Sequence, residues 1–468
     1  MSSHIKSILG ALTFSYLFYT KSFGLNTILL SIVVLVFLFA GHKRRPIPWL
    51  YSIPYLFTAI MVFMDPTDFK ICLHFMAFFV LIGKYIAPSV SLYLSWFIGV
   101  VNMIIASLVK LNDRIHQPKS TRKGLSKKKK DYIKGSIIAF LLLIIFALLY
   151  QKANPIFEGL IQQIDLTFIS VPWLLFTLLG YILFLHILNP YNPKELLDLD
   201  QQRANELKHP EQPFTIPILE KLKSEQTLGS IVLSSLNLLL ILFLVTDIMY
   251  LWQIDPISNS GYSKSVHQGV YALMFSIVCA ILIILFLFRG QLNFYMGNGR
   301  LKKLTYLWIG LNIVLVSFTW FKNFQYIDAL GFTYKRIGVF VYLLLTLSGL
   351  ITVYIKVACL RGFIYLVRTN IAVVFGLLLL SASIPWDRTI TWYNLKHIEH
   401  PDIPYLLHLG DTNSEQLYHY IQTPHWENTF HKDTIEKIEK RYAQFRSNQK
   451  VRTWQEYTAF QIQNPREK

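Results

Sequence analysis

The chain has 468 residues, 53% of them hydrophobic and only 15% charged, with a mean hydropathy of +0.41 and a formal net charge of +18. Charge this sparse, against roughly 25% in soluble domains, excludes a soluble globular protein. Apolar runs of about twenty residues recur along the chain and predict an all-α polytopic bundle of transmembrane helices, some eleven or twelve spans, with a small helical tail.

In chain order the candidate spans are 8–20, 24–41, 48–64, 70–87, 92–109, 135–151, 168–188, 228–251, 267–288, 304–321, 337–357 and 366–384. They divide the chain into N-terminal transmembrane helices (1–109), a basic loop (110–134), a core transmembrane region (135–384) and a soluble helical tail (385–468). Ser7–Tyr19 is followed at once by Gly24–Gly41, with no small-residue cleavage site between them. The start therefore reads as a helical hairpin that stays in the membrane. Gly24 and Asn26 open the second run, and Pro54 predicts a kink in the third. The cysteines, Cys72, Cys279 and Cys359, lie in or beside apolar runs and suggest neither a metal cluster nor a disulfide framework.

The segment "KLNDRIHQPKSTRKGLSKKKKDYIK" (Lys110–Lys134) holds ten Lys or Arg and two Asp. Between membrane spans, such a run reads as a cytoplasmic loop against anionic lipid headgroups rather than as a nucleic-acid site. Alternation from that loop places 152–167, 252–266, 322–336 and the chain beyond 384 outside. It places 189–227, 289–303 and 358–365 inside. Arg289, Arg300, Lys302, Lys303, Lys356 and Arg361 agree with this, whereas 189–227, with five basic and seven acidic residues, rests on alternation alone. "HKRRP" (42–46) also belongs inside, yet three spans separate it from the large basic loop. An odd number cannot join two loops on one side. Either one of 48–64, 70–87 and 92–109 is re-entrant or interfacial, or "HKRRP" lies outside against the rule.

The tail is polar, with eleven basic and eleven acidic residues. "DIPYLLHLG" and "DTNSEQLYHYIQ" read as two short helices split at Gly410, and Ile435, Ile438, Tyr442 and Phe445 recur at helical spacing.

Polar residues that interrupt the apolar runs are the candidates for function. "YSKSVHQG" sets Tyr262, Lys264, His267 and Gln268 at the outer N-terminal end of one span. "YIDALGFTYKR" sets Asp328, Thr333, Lys335 and Arg336 before the next inward-running one. Helix N-termini carry unpaired N–H groups and partial positive charge, so two such ends with basic side chains would hold a phosphate or a carboxylate. Ion pairs with Asp247, Asp255 and Asp328, or snorkelling, would satisfy the same charges. Asp247, in "LFLVTDIMYLW", lies about one turn inside its span, where an ionisable group is a coupling candidate. A pair with Lys264 or Arg336 is the simpler account. Asn237, Asn312 and Asn370 read as helix–helix hydrogen-bonding residues. "KHIEHPD" lacks metal-site spacing, and no Walker A, Rossmann, G-x-S-x-G or kinase pattern occurs, so no cofactor, metal or catalytic residue is expected.

Three ordered segments, "YSKSVHQGVYALMFSIVCAILIILFLFRG", "YIDALGFTYKRIGVFVYLLL" and "WDRTITWYN", resemble the bacterial membrane proteins of domain-of-unknown-function family 4173 and, more distantly, the related family 4153. The matching positions are Tyr262, Val266, His267 and Gly269, then Gly331, Thr333 and Arg336, then Asp387, Ile390, Tyr393 and Asn394. "DIPYLLHLGDTNSEQL" is similar to the tail segment of that family. The resemblance covers roughly residues 168–420. It implies a multi-pass protein of the bacterial cytoplasmic membrane and assigns no activity. All its motifs lie outside by the alternation above, so the expectation is one outer polar site, with Asp387, Tyr393 and Asn394 joining the residues already named and the tail docked over them. There the protein would bind an envelope component, lipid-linked or protein, for assembly, sensing or scaffolding. The alternatives are a secondary transporter or lipid flippase using Asp247 and the basic mouth, and a transferase on lipid-linked substrates with Asp247, Asp255 or His267 as acid or base.

Overall fold

The structure is a computed structural model that describes residues 3–41, 49–116, 127–154, 170–191, 213–253, 275–423 and 432–459, and positions 156, 157, 159, 193, 197, 198, 200, 202, 205–207, 209, 210 and 273 between them. Twelve helices follow the twelve apolar runs. They are α1 (Ser3–Phe18), α2 (Leu25–Gly41), α3 (Trp49–Met64), α4 (Asp68–Ile86), α5 (Leu92–His116), α6 (Lys127–Ala153), α7 (Val171–Leu188), α8 (Ile216–Gln253), α9 (Phe275–Leu287), α10 (Gly299–Leu330), α11 (Tyr334–Ala358) and α12 (Phe363–Ala382). Four tail helices follow: α13 (Trp386–His397), α14 (Ile403–Leu407), α15 (Ser414–Ile421) and α16 (Lys432–Val451).

Among the described residues, α4, α7, α8, α10, α11 and α12 are long and apolar enough to cross a membrane, and α2, α3, α5 and α9 contain shorter apolar stretches. The chain is an all-α polytopic bundle. Leucines such as Leu143, Leu175, Leu238 and Leu239 point outward, as lipid-facing side chains do. Buried Ser and Thr hydroxyls inside the helices, including Ser31, Thr305 and Thr319, donate to the carbonyl one turn back and so leave no bare donor in the bundle interior.

Two apolar cores form. One gathers Leu38, Tyr55, Leu73, Leu81 and Phe184 from α2, α3, α4 and α7; the other gathers Leu233, Ile284, Leu301, Leu343 and Leu350 from α8 to α11. Helix α12 belongs to both, through Phe375 and Leu366. A third cluster joins Ile337 of α11 to Ile390, Ile403, Leu406, Leu417 and Ile438 of the tail, so the tail is docked rather than dangling.

The docked tail marks one end of the bundle. The α1–α2, α3–α4 and α10–α11 turns all meet it there, and Tyr19 reaches Ser170, the N-cap of α7, at 3.0 Å. The opposite, far end is held by a polar mesh. Asp200 accepts from Ser91 N–H (2.9 Å) and the Tyr93 hydroxyl (3.1 Å) and pairs with Arg368 (3.2 Å), while Leu207 donates to the Leu360 carbonyl and Gly362 to Asn205. Helix α5 starts in this mesh. Its Asn102 accepts from Tyr191 N–H (2.8 Å) and its Met103 carbonyl bonds His186 (2.7 Å), both at the far end of α7. It approaches α4 closely at Gly83 and Gly99, where a Cβ would run into the facing backbone of Ser95 and Phe79. Through residue 103, α5 therefore bonds to far-end groups of α7 while running back along α4 as far as Phe79.

Candidate functional site

The turn between α10 and α11 organises the tail end. Gly331, at φ +85°, ends α10 in the left-handed region, and its N–H closes on Ile327 at 2.8 Å. Thr333 caps α11, its hydroxyl accepting from Arg336 N–H at 3.4 Å. Arg336 then folds back. Its Nη1 donates to the carbonyls of Leu330 (2.9 Å) and Gly331, and its guanidinium lies 4.1 Å over the Tyr326 ring. A cation placed on the last carbonyls of α10 satisfies orphan acceptors and opposes the partial negative charge of that end.

Helix α13 reads the same turn from above. Asn394 accepts from Phe332 N–H (2.5 Å) and donates to the Phe332 carbonyl (2.9 Å), so one side-chain amide pairs with one backbone residue. Tyr393 donates to Asp328 (2.9 Å) and Tyr334 to Asp387 (2.7 Å), while the Tyr405 hydroxyl of α14 accepts from Tyr334 N–H (2.9 Å). Burial, reinforced by the adjacent Asp328 carboxylate, raises the Tyr393 hydroxyl above its usual range.

The tail closes over this assembly. Arg441 of α16 donates to the Leu407 and Leu409 carbonyls and to Asn413, and pairs with Asp411 at 3.3 Å. Asn413 ties α13 to α14 through Thr391 (2.8 Å) and the Leu406 carbonyl (2.9 Å). Past α16 the chain straps onto the α1–α2 turn. Glu456 accepts from the N–H and hydroxyl of Ser22 (2.8 and 2.9 Å) and of Thr453 (3.0 and 2.7 Å), and Leu25 N–H donates to the Tyr457 carbonyl (2.8 Å). Burial alone pushes the Glu456 carboxyl up, but these four hydrogen bonds outweigh it and bring it down to about 2.

Beneath this roof lies a chamber of about 1310 Å³. Leu330, Ile337, Val341, Leu377 and Leu378 form an apolar wall on the bundle side, while the tail supplies Asp402, Tyr405, Asp411 and Arg452. The α3–α4 turn contributes Asp65 and Lys70, an ion pair at 3.1 Å with both residues at most 5% exposed. Sequence reasoning passed over that pair. The signal was available in "MDPTDFK" (Met64–Lys70), a tight polar turn between two apolar runs.

The expected site residues divide into three groups. Asp328, Thr333, Arg336, Asp387, Tyr393 and Asn394 are drawn into one network, with Lys335 exposed beside them. Asp247 stands apart. Among the described residues its partner is Lys322 of α10 rather than Arg336, an ion pair that joins α8 to α10, while the expected pair with Lys264 lies outside the described residues. Tyr262, Lys264, His267 and Gln268, like Asp255, lie outside the described residues. Of the asparagines, Asn237 bridges α8 to the Leu304 carbonyl and Asn370 bridges α12 to Thr352, whereas Asn312 bonds within its own helix to Trp308.

The family model described as Domain of unknown function (DUF4153) matches residues 27–420, and the chain belongs to that family. The match includes the N-terminal helices from α2 onward, which the three motif segments had left uncovered. It is to the family that the motifs resemble more distantly, and membership of family 4173 is not what the comparison finds. No curated protein and no solved structure matches the chain.

Proposed function

We propose that this multi-pass membrane protein binds an amphipathic component of the cell envelope in the roofed chamber, for sensing or assembly. The observation that carries the reading is the two-faced lining: aliphatic side chains of α10, α11 and α12 on one wall, ionised and hydroxyl groups of the tail on the other. Ligand sites combine an apolar majority with a few placed polar groups. At the end of a membrane bundle, that combination suits a molecule with one greasy and one charged end.

The basic residues favour an orientation. Arg289, Arg300, Lys302, Lys303, Lys356 and Arg361 all belong to the far end, which we read as cytoplasmic, in a bacterial cytoplasmic membrane, with the tail outside. If α5 stays among its far-end partners without crossing, "HKRRP" and the 110–134 loop come to the same side, where the loop meets anionic headgroups. On the three motif segments we also propose kinship with family 4173.

Native mass spectrometry of detergent-purified protein tests the binding. Wild type should retain a bound amphiphile, and Arg441→Ala, which unties the roof, should retain less. Bare wild-type protein, or equal retention by the variant, would remove the proposal. A second reading, a carrier or flippase, draws on the Asp247–Lys322 pair, in which the buried Asp247 Oδ2 has no partner among the described residues. It requires substrate flux that Asp247→Asn abolishes.

A further inference from the structure

The chamber does not stop at the membrane surface. Its lining on α11 runs from Tyr334 through Gly338 to Val341, and on α12 from Ser381 to Leu377. At the helical rise, the α11 wall reaches roughly 10 Å into the helix. A helix of 25 residues exceeds a hydrocarbon core of about 30 Å by little more than a turn, so that depth lies among acyl chains. Asn370 of α12 bonds Thr352 of α11 at 3.0 Å. That bond fixes the register of the two antiparallel helices and sets Leu345, one turn below Val341, level with Leu377.

At this level the bundle is split. Helix α12 packs on α11 and also on α3, α4 and α5, whereas α11 does not pack along α3 or α4. A helix wedged between two cores should be largely buried, yet of the twenty residues of α12 only Leu366, Phe375 and Ala382 are. One of its open faces, Leu377, Leu378 and Ser381, floors a furrow that the chamber caps. The rim is apolar and open. Met64, ending α3, is 45% exposed, Phe69 of α4 38% and Tyr334 of α11 45%. A Cβ added to Gly338 on the same rim would meet nothing within 4 Å. From above, by contrast, the tail is fastened down by Arg441, Asn413 and Glu456. Entry from the side breaks none of those bonds.

We infer that the furrow takes a glycerolipid from the tail-side leaflet of the bilayer, with an acyl chain over Leu345 and Leu377 and the headgroup in the chamber. The inference rests on the proposed function above and names the source of the amphiphile, which arrives through the flank of the bundle and not from water under the roof. Open aliphatic walls at that depth have no water to face, and lipid chains are as apolar as the leucines they would cover.

Photolabelling of the full-length protein tests it. The protein is reconstituted in vesicles of phosphatidylethanolamine and phosphatidylglycerol, both carrying a diazirine midway along one acyl chain. It is then moved into excess detergent, so that lipid on the outer helix faces exchanges away, and irradiated. Adducts are mapped by peptide mass spectrometry. Val341, Leu345 and Leu377 should be labelled far more heavily than Leu238 and Leu239, which face outward on α8. Gly338→Trp, whose ring grows into the open rim, should cut the furrow labelling by about tenfold, the scale of an overfilled packing site. Should that variant fail to fold, the comparison of furrow with α8 in wild type decides alone. Equal labelling of the two, or furrow labelling indifferent to the tryptophan, overturns the lipid furrow. A bare furrow in protein that still retains an amphiphile by native mass spectrometry overturns it too and leaves the chamber reading standing. A bare furrow and a bare chamber remove both.

Discussion

Arg336 separates what its residue type suggests from what its surroundings make of it. As a sequence feature it is a cation at a helix N-terminus, an anion site in waiting. In the fold it belongs equally to the helix before it, whose last carbonyls it covers. A motif spacing places a residue on the chain but not its side chain between two helix ends, so that role was not legible. Asp247 makes the same point, since its partner lies 75 residues away on α10. Replacing Lys322 by Met should destabilise the protein by ~3–5 kcal/mol because it strands the buried Asp247 carboxylate, Asp247→Asn should cost less because Lys322 is half-buried and has further partners, and the double variant should recover much of the larger loss. Thermal melts of the three variants in detergent check this, and additive losses would mean the two charges act independently. Gly331→Ala should cost about 1–3 kcal/mol for a backbone that is essentially glycine's alone, φ +85° and ψ 179°. It should cost more because the new methyl meets the Asn394 amide that holds Phe332. Gly331→Asn, larger and no better suited to a backbone at φ +85° and ψ 179°, should melt no higher than the alanine variant.

At the level of elements, the pattern in the sequence was far more informative. Each of the twelve apolar runs has a helix, which satisfies its backbone within the segment itself, as hydrocarbon demands. Ile438 and Phe445 turn inward on α16 as their spacing requires, and Tyr442 stacks on Tyr418 with ring centroids 4.1 Å apart. What the pattern did not convey is where that helix docks. That depends on Arg441 and on the strap at Glu456, single polar residues with no periodicity to announce them. The strap titrates. The Glu456 carboxyl is depressed in the folded protein, from the ordinary 4.5 to about 2. Its contribution is therefore complete above about pH 4.5 and is lost as pH falls towards 2. Cleavage of the tail by pepsin should rise across that window in wild type, while Glu456→Gln should already be cleaved faster at its upper edge. Identical cleavage profiles would show that the strap carries no load.

For the whole molecule, orientation is the prediction that organises the rest. With the three native cysteines replaced, a cysteine at Ser447, exposed on α16, should react with an impermeant thiol reagent on intact cells whose outer membrane is permeabilised. One at Met296, fully exposed at the far end, should react only after lysis. The reverse pattern would turn the chamber towards the cytoplasm. Charge counts carry this expectation, whereas they could not reveal that Asn102 and Met103 of α5 bond to the far end of α7, because a 15-residue apolar stretch, Leu92–Ala106, is composed like the start of any span. The strap also has a consequence for biosynthesis. The α1–α2 turn leaves the ribosome long before its partners Glu456 and Tyr457, which emerge only after all twelve bundle helices. Until then Ser22 and Leu25 wait without them and the chamber has no roof. Completion of the cavity thus reports that synthesis has passed Tyr457, and a nascent protein stalled within α16 would present an open chamber.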